Sequence, residues 1–325
     1  MRALSITSVS FPLRKPFSIS RDSVTEVHLV KVTIAEQGTS GRGECRPYAR
    51  YDETIASVTG QIEAMRDAIG SGMNRIALRE AMPPGAARNA LDCALLDLEA
   101  KIAGRPVHEI LKVARPRPVG VTYTISLDTP DRMAAEARAV GRPLYKLKLG
   151  GEGDLERVRA VREAAPDARL IVDANEAWTV DRVERWLQPM ARLGVELIEQ
   201  PLPAGGDESL RGIDRAVPLC ADESFHDSHD VDRLRGLYDY VNIKIDKTGG
   251  LTEALAAADA ARDAGFGIML GCMMASSLSM AQAFPLTTRA RFVDLDGPLL
   301  LARDRDPPVR YDGAVMQPPP RELWG

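Results

Sequence analysis

The 325-residue chain has only four cysteines, Cys45, Cys93, Cys220 and Cys272, and no two of them form a C-x-x-C pair. That scatter argues against a disulfide frame or a zinc site and fits reduced thiols in a cytoplasmic protein. Neither sign of charge is in excess: 42 basic against 46 acidic residues leave a net charge of −4, with no block of like charge. The clustered Lys and Arg of a nucleic-acid surface are missing. The opening residues, MRALSITSVSFPLRKPF, show no apolar core followed by a small-residue cleavage site, so no signal peptide is expected. A long uncharged stretch, 264–288, is broken by Gly265, Gly267, Gly271, Ser276, Ser277, Ser279, Gln282 and Pro285. A bilayer span needs roughly 20 continuous apolar residues, so a buried strand and a core-facing helix are expected there, in a soluble protein. No G-x-G-x-x-G follows the first strand and no Walker pattern occurs, which leaves a nucleotide-binding open sheet without support.

What is present is a rhythm. From about Val119, eight short apolar runs alternate with amphipathic segments: VGVTYTIS, LYKLKLG, RLIVDAN, VELIEQP, LCADES, YVNIKID, GIMLGC and ARFVDLD. Segments such as TPDRMAAEARAVG and TVDRVERWLQPMARLG begin with Thr and end at Gly, as capped helices do. Eight β–α units in succession predict an α/β fold, a (β/α)8 TIM-like barrel, over residues 116–301. Residues 1–115 break the rhythm: a glycine-broken hairpin, LVKVTIAEQGTSGRGECRP, precedes two helical stretches. They predict an α+β N-terminal capping domain, completed by the proline-rich tail at about 302–325.

Chemistry in a parallel barrel gathers where the strands end. In YKLKLG, Tyr145, Leu147 and Leu149 share one face while Lys146 and Lys148 share the other. Alone, the pair reads as a guarded edge strand. But Lys148, Asp173, Glu199, Asp222 and Lys244 close five consecutive strands at intervals of 25, 26, 23 and 22 residues, each one β–α repeat. Each acid could cap the helix that follows it; three in register, flanked by lysines, point instead to one rim. Converging carboxylates repel unless a cation sits among them, and hard oxygen donors without His or Cys favour Mg2+. Strands two and six face each other in an eight-membered ring, so Lys148 and Lys244 are expected on opposite sides of the ion. Like charge pushes such an amine toward its neutral form, a usable base near neutral pH. Lys146 is placed to contribute that charge and to bind a substrate oxygen.

The Lys-x-Lys of YKLKLG, the Asp of IVDAN, the Glu of IEQP, the Asp of ADES and the Lys of NIKIDKTGG resemble, in order, the motifs of the enolase superfamily and its muconate-lactonizing-type subgroup. The resemblance covers essentially the whole chain and implies lysine bases with magnesium at an ene-diolate. Within the subgroup, DLDGP resembles the Asp-x-Asp signature of dipeptide epimerases. That likeness implies that Asp294 and Asp296 hold the free ammonium of a dipeptide and that Thr124 touches the substrate. It further implies Mg-dependent epimerisation at the α-carbon of the second residue, Asp173, Glu199 and Asp222 holding the metal and Lys148 and Lys244 exchanging the proton. The chain departs from Ala-Glu epimerases at Val24, where they carry the arginine that pairs with the glutamate side chain. Arg21, nearby, is the candidate to replace it, and an apolar second residue is an alternative. An N-acylamino acid racemase or an o-succinylbenzoate synthase is the rival activity, and a non-catalytic ligand-binding barrel the rival class. The expected partner is a small-molecule dipeptide, with no nucleic acid or membrane and with room for a homo-oligomer.

Overall fold

The structure, a computed structural model, describes residues 1–325. Three antiparallel strands open the chain: β1 (Ala3–Ile19), β2 (Asp22–Glu36) and β3 (Thr39–Cys45). Val30, Val32 and Ile34 of β2 are fully buried, an alternation that turns one face of the sheet onto the helix Ala86–Ala103. The contact is backbone on backbone. A Cβ at Gly41 would come within 2.1 Å of the Ala94 carbonyl oxygen, and one at Gly43 within 1.9 Å of that of Ala90. These two glycines let the helix lie directly on β3.

That helix is buried along almost its whole length, so its polar side chains need partners. It finds them on the second domain: Asn89 donates to Asp246 Oδ1 at 2.9 Å, Asp92 Oδ2 accepts from the Thr252 amide at 3.0 Å, and Arg88 donates to the Thr248 and Gly249 carbonyls at 2.7 and 3.0 Å. The N-terminal unit is thus fastened to the loop region after the sixth barrel strand.

After the two-residue strand β4 (Val119–Gly120) come the barrel strands β5 (Tyr123–Ile125), β6 (Leu144–Lys148), β7 (Arg169–Asp173), β8 (Val195–Glu199), β9 (Leu219–Ala221), β10 (Tyr240–Ile243), β11 (Gly267–Leu270) and β12 (Phe292–Val293). They form one parallel sheet in sequence order. The Thr122 amide donates to the Val293 carbonyl at 2.9 Å, joining the last strand back to the first. The expected TIM-like barrel is the architecture found. The helical rhythm is less regular than the sequence suggested. Full helices follow β5, β6, β7 and β10, but only short turns, Asp207–Leu210 and Val231–Leu234, follow β8 and β9. PLPAGGD after β8 is too rich in proline and glycine to hold a helix. No helix is long and apolar enough to cross a membrane.

The tail divides its contacts. Strand β14 (Val315–Met316) pairs with β4, and β13 (Tyr311–Asp312) with β14, while Trp324 Nε1 donates to the Arg42 carbonyl at 2.9 Å and the Gly325 amide to Asp97 Oδ1 at 2.7 Å.

Candidate active site

The barrel interior changes character two residues at a time. Leu144, Ile171, Leu197, Cys220, Met269 and Phe292 form one apolar layer. Two positions further along stand Lys146, Asp173 and Glu199 on their strands and, just past β9 and β12, Asp222 and Asp294. Side chains repeat every second residue on a strand, so a strand that sends a hydrophobe into the barrel sends its next even neighbour to the same interior. Lys148 closes β6 one step higher, and Lys244 follows β10. All of these charged groups are buried.

The acids form a row. Single carboxylate oxygens of Asp173, Glu199 and Asp222 lie within 4.8 Å of one another. Lys148 Nζ sits 2.5 Å from Asp173 Oδ2 at one end, Lys244 Nζ 2.6 Å from Asp222 Oδ2 at the other, and Glu199 stands between. Lys146 Nζ lies 3.2, 2.6 and 2.9 Å from Asp173, Glu199 and Asp294.

Each acid has one oxygen held from behind. Asp173 Oδ1 accepts from the Asn175 amide at 2.9 Å, Glu199 Oε1 from Asn242 Nδ2 at 2.7 Å, and Asp222 Oδ1 from Lys247 Nζ at 2.6 Å. The backbone turns left-handed at Asn175, Glu176 and Gln200, just beyond β7 and β8, where non-glycine residues are strained and functional sites collect. The second oxygen of each acid is left facing its neighbours. Glu199 Oε2 has no hydrogen-bond partner, because Lys146 is near but not aligned to donate to it. Three hard oxygens converge here, those of Asp173 and Asp222 hydrogen-bonded only to the lysines at the two ends and that of Glu199 unsatisfied, a set that fits a magnesium ion.

The electrostatics agree with that fit. Burial, with the Asp173 charge beside it, pushes the Glu199 carboxyl up to about 8. Burial acts the same way on Asp173, but Lys148 and Lys146 overcome it and hold that carboxyl at about 2. Lys244 departs from the sequence expectation of an amine driven toward neutrality. Burial lowers its pKa, yet Asp222 more than offsets this and raises it well above the ordinary value. Asp294 and Glu199 do the same for Lys146. The carboxylates, which the sequence argument balanced against a cation, outweigh the neighbouring lysines by their closeness. A divalent charge in the row is what reverses this sign.

Beside the row, Asp294 accepts from Thr122 Oγ1 and Lys146, and Asp296 Oδ2 accepts from the Thr124 amide at 2.6 Å. The two acids lie beyond β12 rather than on it, because the strand ends at Val293; both still line the cleft, as does Thr124. Burial and the Asp294 charge push Asp296 up to about 7. Arg21 lines the cleft but is already engaged. Its guanidinium pairs with Glu223 at 2.6 Å and Glu176 at 3.3 Å and donates to the Asn175 carbonyl at 3.0 Å. Residues absent from the sequence reading complete the site: Lys247, Asn242 and Asn175 behind the acids, and Tyr48, Tyr51 and, from the end of the N-terminal sheet, Arg46 in the cleft wall. Lys247 was discoverable, three residues after Lys244 and so on one face of a helical turn. Arg46 had no such signal.

Residues 1–111 match the family described as mandelate racemase / muconate lactonizing enzyme, N-terminal domain, and residues 131–322 match the enolase C-terminal domain-like family. L-Ala-D/L-Glu epimerase of Escherichia coli (strain K12) is 44% identical over 314 residues, covering 96% of this chain and 98% of that protein. N-acetyl-D-glutamate racemase of a Pseudoalteromonas species is 46% identical, covering 91% of this chain and 95% of that one. A crystal structure of an enolase family member from Agrobacterium tumefaciens with homology to dipeptide epimerases, with bound sodium and L-Ala-L-Glu, superposes with a TM-score of 0.98 at 50% identity over 100% of both chains. A dipeptide epimerase from Enterococcus faecalis V583, complexed with Mg and L-Leu-L-Tyr, gives 0.89 at 29% identity, covering 97% and 96%.

Proposed function

Because the chain belongs to the mandelate racemase / muconate lactonizing enzyme family of the enolase superfamily, we propose that it is a magnesium-dependent isomerase that inverts the α-carbon of the second residue of a dipeptide. The observation that carries this reading is the row itself: two buried amines, Lys148 and Lys244, at opposite ends of three convergent carboxylates.

Asp173, Glu199 and Asp222 would hold the metal. Bound there, magnesium supplies positive charge against the substrate's carboxylate and so acidifies the adjacent α-carbon. The protein's own residues do the rest. With the α-carbon between the two ends of the row, one lysine as a free amine takes the α-proton, and the other, as an ammonium, returns a proton to the opposite face. Lys146 keeps a fixed ammonium beside the carboxylate on which negative charge accumulates, preorganised stabilisation that needs no rearrangement during reaction. Asp294 and Asp296 receive the dipeptide's ammonium, and Thr124 holds Asp296 for that task. Burial of the row excludes water that would otherwise screen these charges. Four free cysteines, none in a disulfide, support a cytoplasmic setting.

A second reading has its own support: N-acetyl-D-glutamate racemase is as similar in sequence as the epimerase, and Asp294 is already paired with Lys146. Incubation in deuterated water with magnesium separates the two. Deuterium at the α-carbon of free dipeptides but not of N-acetylamino acids supports the epimerase, the reverse pattern supports the racemase, and no exchange into either class refutes both.

A further inference from the structure

Five cationic side chains line the active-site cleft: Arg21, Arg46, Lys146, Lys148 and Lys244. Four are paired with carboxylates, Arg21 with Glu223 and Glu176, Lys146 with Asp173, Glu199 and Asp294, Lys148 with Asp173 and Lys244 with Asp222. Arg46 has no carboxylate within 4.0 Å of its guanidinium. Its side chain makes one hydrogen bond, Nη1 to the Met274 carbonyl at 3.2 Å, and lies 5.6 Å from the centroid of the Tyr48 ring.

A half-buried cation with no directly paired carboxylate is costly to keep, and burial lowers the Arg46 pKa although Asp246 and Asp22 act on it from a distance in the other direction. A guanidinium has five N–H donors in a planar fork matched to a carboxylate, and one is used here. The side chain is also held in place. Its own amide donates to Asp246 Oδ1 at 3.0 Å, two residues beyond Lys244, and the Met274 carbonyl lies on the loop after β11. Phe17, Ile19 and Val24 line the same cleft and offer an apolar wall to a short methylene stem. Asp22, which also lines the cleft, is exposed and accepts from the Ser23 amide at 2.7 Å.

We infer that Arg46 is the specificity-determining residue of this enzyme and selects an acidic second residue by pairing with its side-chain carboxylate. The inference rests on the proposed α-carbon chemistry and names its substrate class. A free dipeptide ending in glutamate and an N-acylated glutamate present the same carboxylate, so both belong in the test. The guanidinium expected at position 24 has in effect moved to the end of β3, and Arg21 is not its replacement.

The test compares kcat/KM for L-Ala-L-Glu, its neutral near-isostere L-Ala-L-Gln, and N-acetyl-L-glutamate, by α-deuterium incorporation with the magnesium-loaded full chain and with Arg46→Met. The wild type is expected to prefer the glutamate of the matched dipeptide pair. Arg46→Met should reduce that Glu/Gln ratio roughly 30-fold or more, largely through KM, and Arg46→Lys should recover part of it. Comparing the L-Ala-L-Glu and N-acetyl-L-glutamate arms shows which source of the carboxylate the site takes. Equal wild-type rates on the Glu and Gln dipeptides, a preference for basic second residues such as L-Ala-L-Lys, or an equal fall on Glu and Gln in Arg46→Met would overturn the inference and leave the reaction standing. If the wild type exchanges none of the substrates, the reaction falls, and the inference with it.

Discussion

Lys247→Met is the sharpest test of how the acid row is supported. The Lys247 ammonium is completely buried and donates to Asp222 Oδ1 at 2.6 Å, to the Asp222 carbonyl, and to the Asn242 carbonyl at 3.2 Å. Methionine fills much of the same space but donates nothing. Removing one member of a buried ion pair costs about 3–5 kcal/mol, and two carbonyls left without partners add to that. Two effects work the other way. Asp222 keeps Lys244 at 2.6 Å, and burial, which lowers the Lys247 pKa, shows that the ammonium itself is held at a cost the variant escapes. A net loss of about 3 kcal/mol follows, roughly 4 °C in melting temperature for a chain of this size. With its Oδ1 unanchored, Asp222 can rotate, and support of that kind is worth about 10–100-fold in metal affinity. Differential scanning calorimetry and magnesium titration of the same preparation measure both effects. A variant that melts with the wild type and binds magnesium equally well refutes the claim that Lys247 aims the third acid.

The other predictions concern the bases, a titrating contact and the sheet. Lys148→Ala and Lys244→Ala should each reduce epimerisation at least about 100-fold, the low end for a positioned acid or base; one of them is expected still to exchange the α-proton of a single epimer, and full turnover in either breaks the two-base scheme. Burial pushes the Asp246 carboxyl up to about 7, with Glu53 and Glu44 adding to the shift. Its folded state therefore holds the proton more tightly than the unfolded chain, and stability falls as pH rises from about 4 to about 7. Asp246→Asn keeps an acceptor for the Arg46 amide and Asn89 and should remove that slope, so its stability gain over the wild type grows across this window by about 2–4 kcal/mol. Chemical denaturation at pH 5 and pH 8 reads the difference, and parallel curves count against it. Gly43→Ala would drive a Cβ against the Ala90 carbonyl, costing about 1–3 kcal/mol; an unchanged denaturation midpoint shows that the helix does not rest on β3.

The α/β alternation and the eight-strand barrel were legible because they follow from local periodicity. A polar residue every 22–26 positions, two steps past an interior hydrophobe, can only arrive at one rim if the strands are parallel and equally long. That is why Lys146, Asp173, Glu199 and Asp222 were readable, with Lys148 and Lys244 one step further along the same alternation past Lys146 and Asn242. Asp294 and Asp296 were readable as a pair, but not as loop residues, since the last strand stops as soon as its pairing with β11 ends at Val293.

The sign of the lysine pKa shifts was not legible. For Lys146 and Lys244 it depends on distances of 2.6–3.2 Å between side chains on different strands, and the inverse dependence of Coulomb energy on separation lets the nearby carboxylates dominate. Nor was the division of labour between Arg21 and Arg46. Each arginine's role is set by how the N-terminal sheet docks over the barrel mouth, a contact between residues far apart in the chain that no repeat encodes. By itself the sequence determined which charges enter the barrel, because strand geometry is local. Which of the surrounding cations keeps a carboxylate partner was decided only by the tertiary structure, because that is a matter of what each guanidinium meets once the two units close.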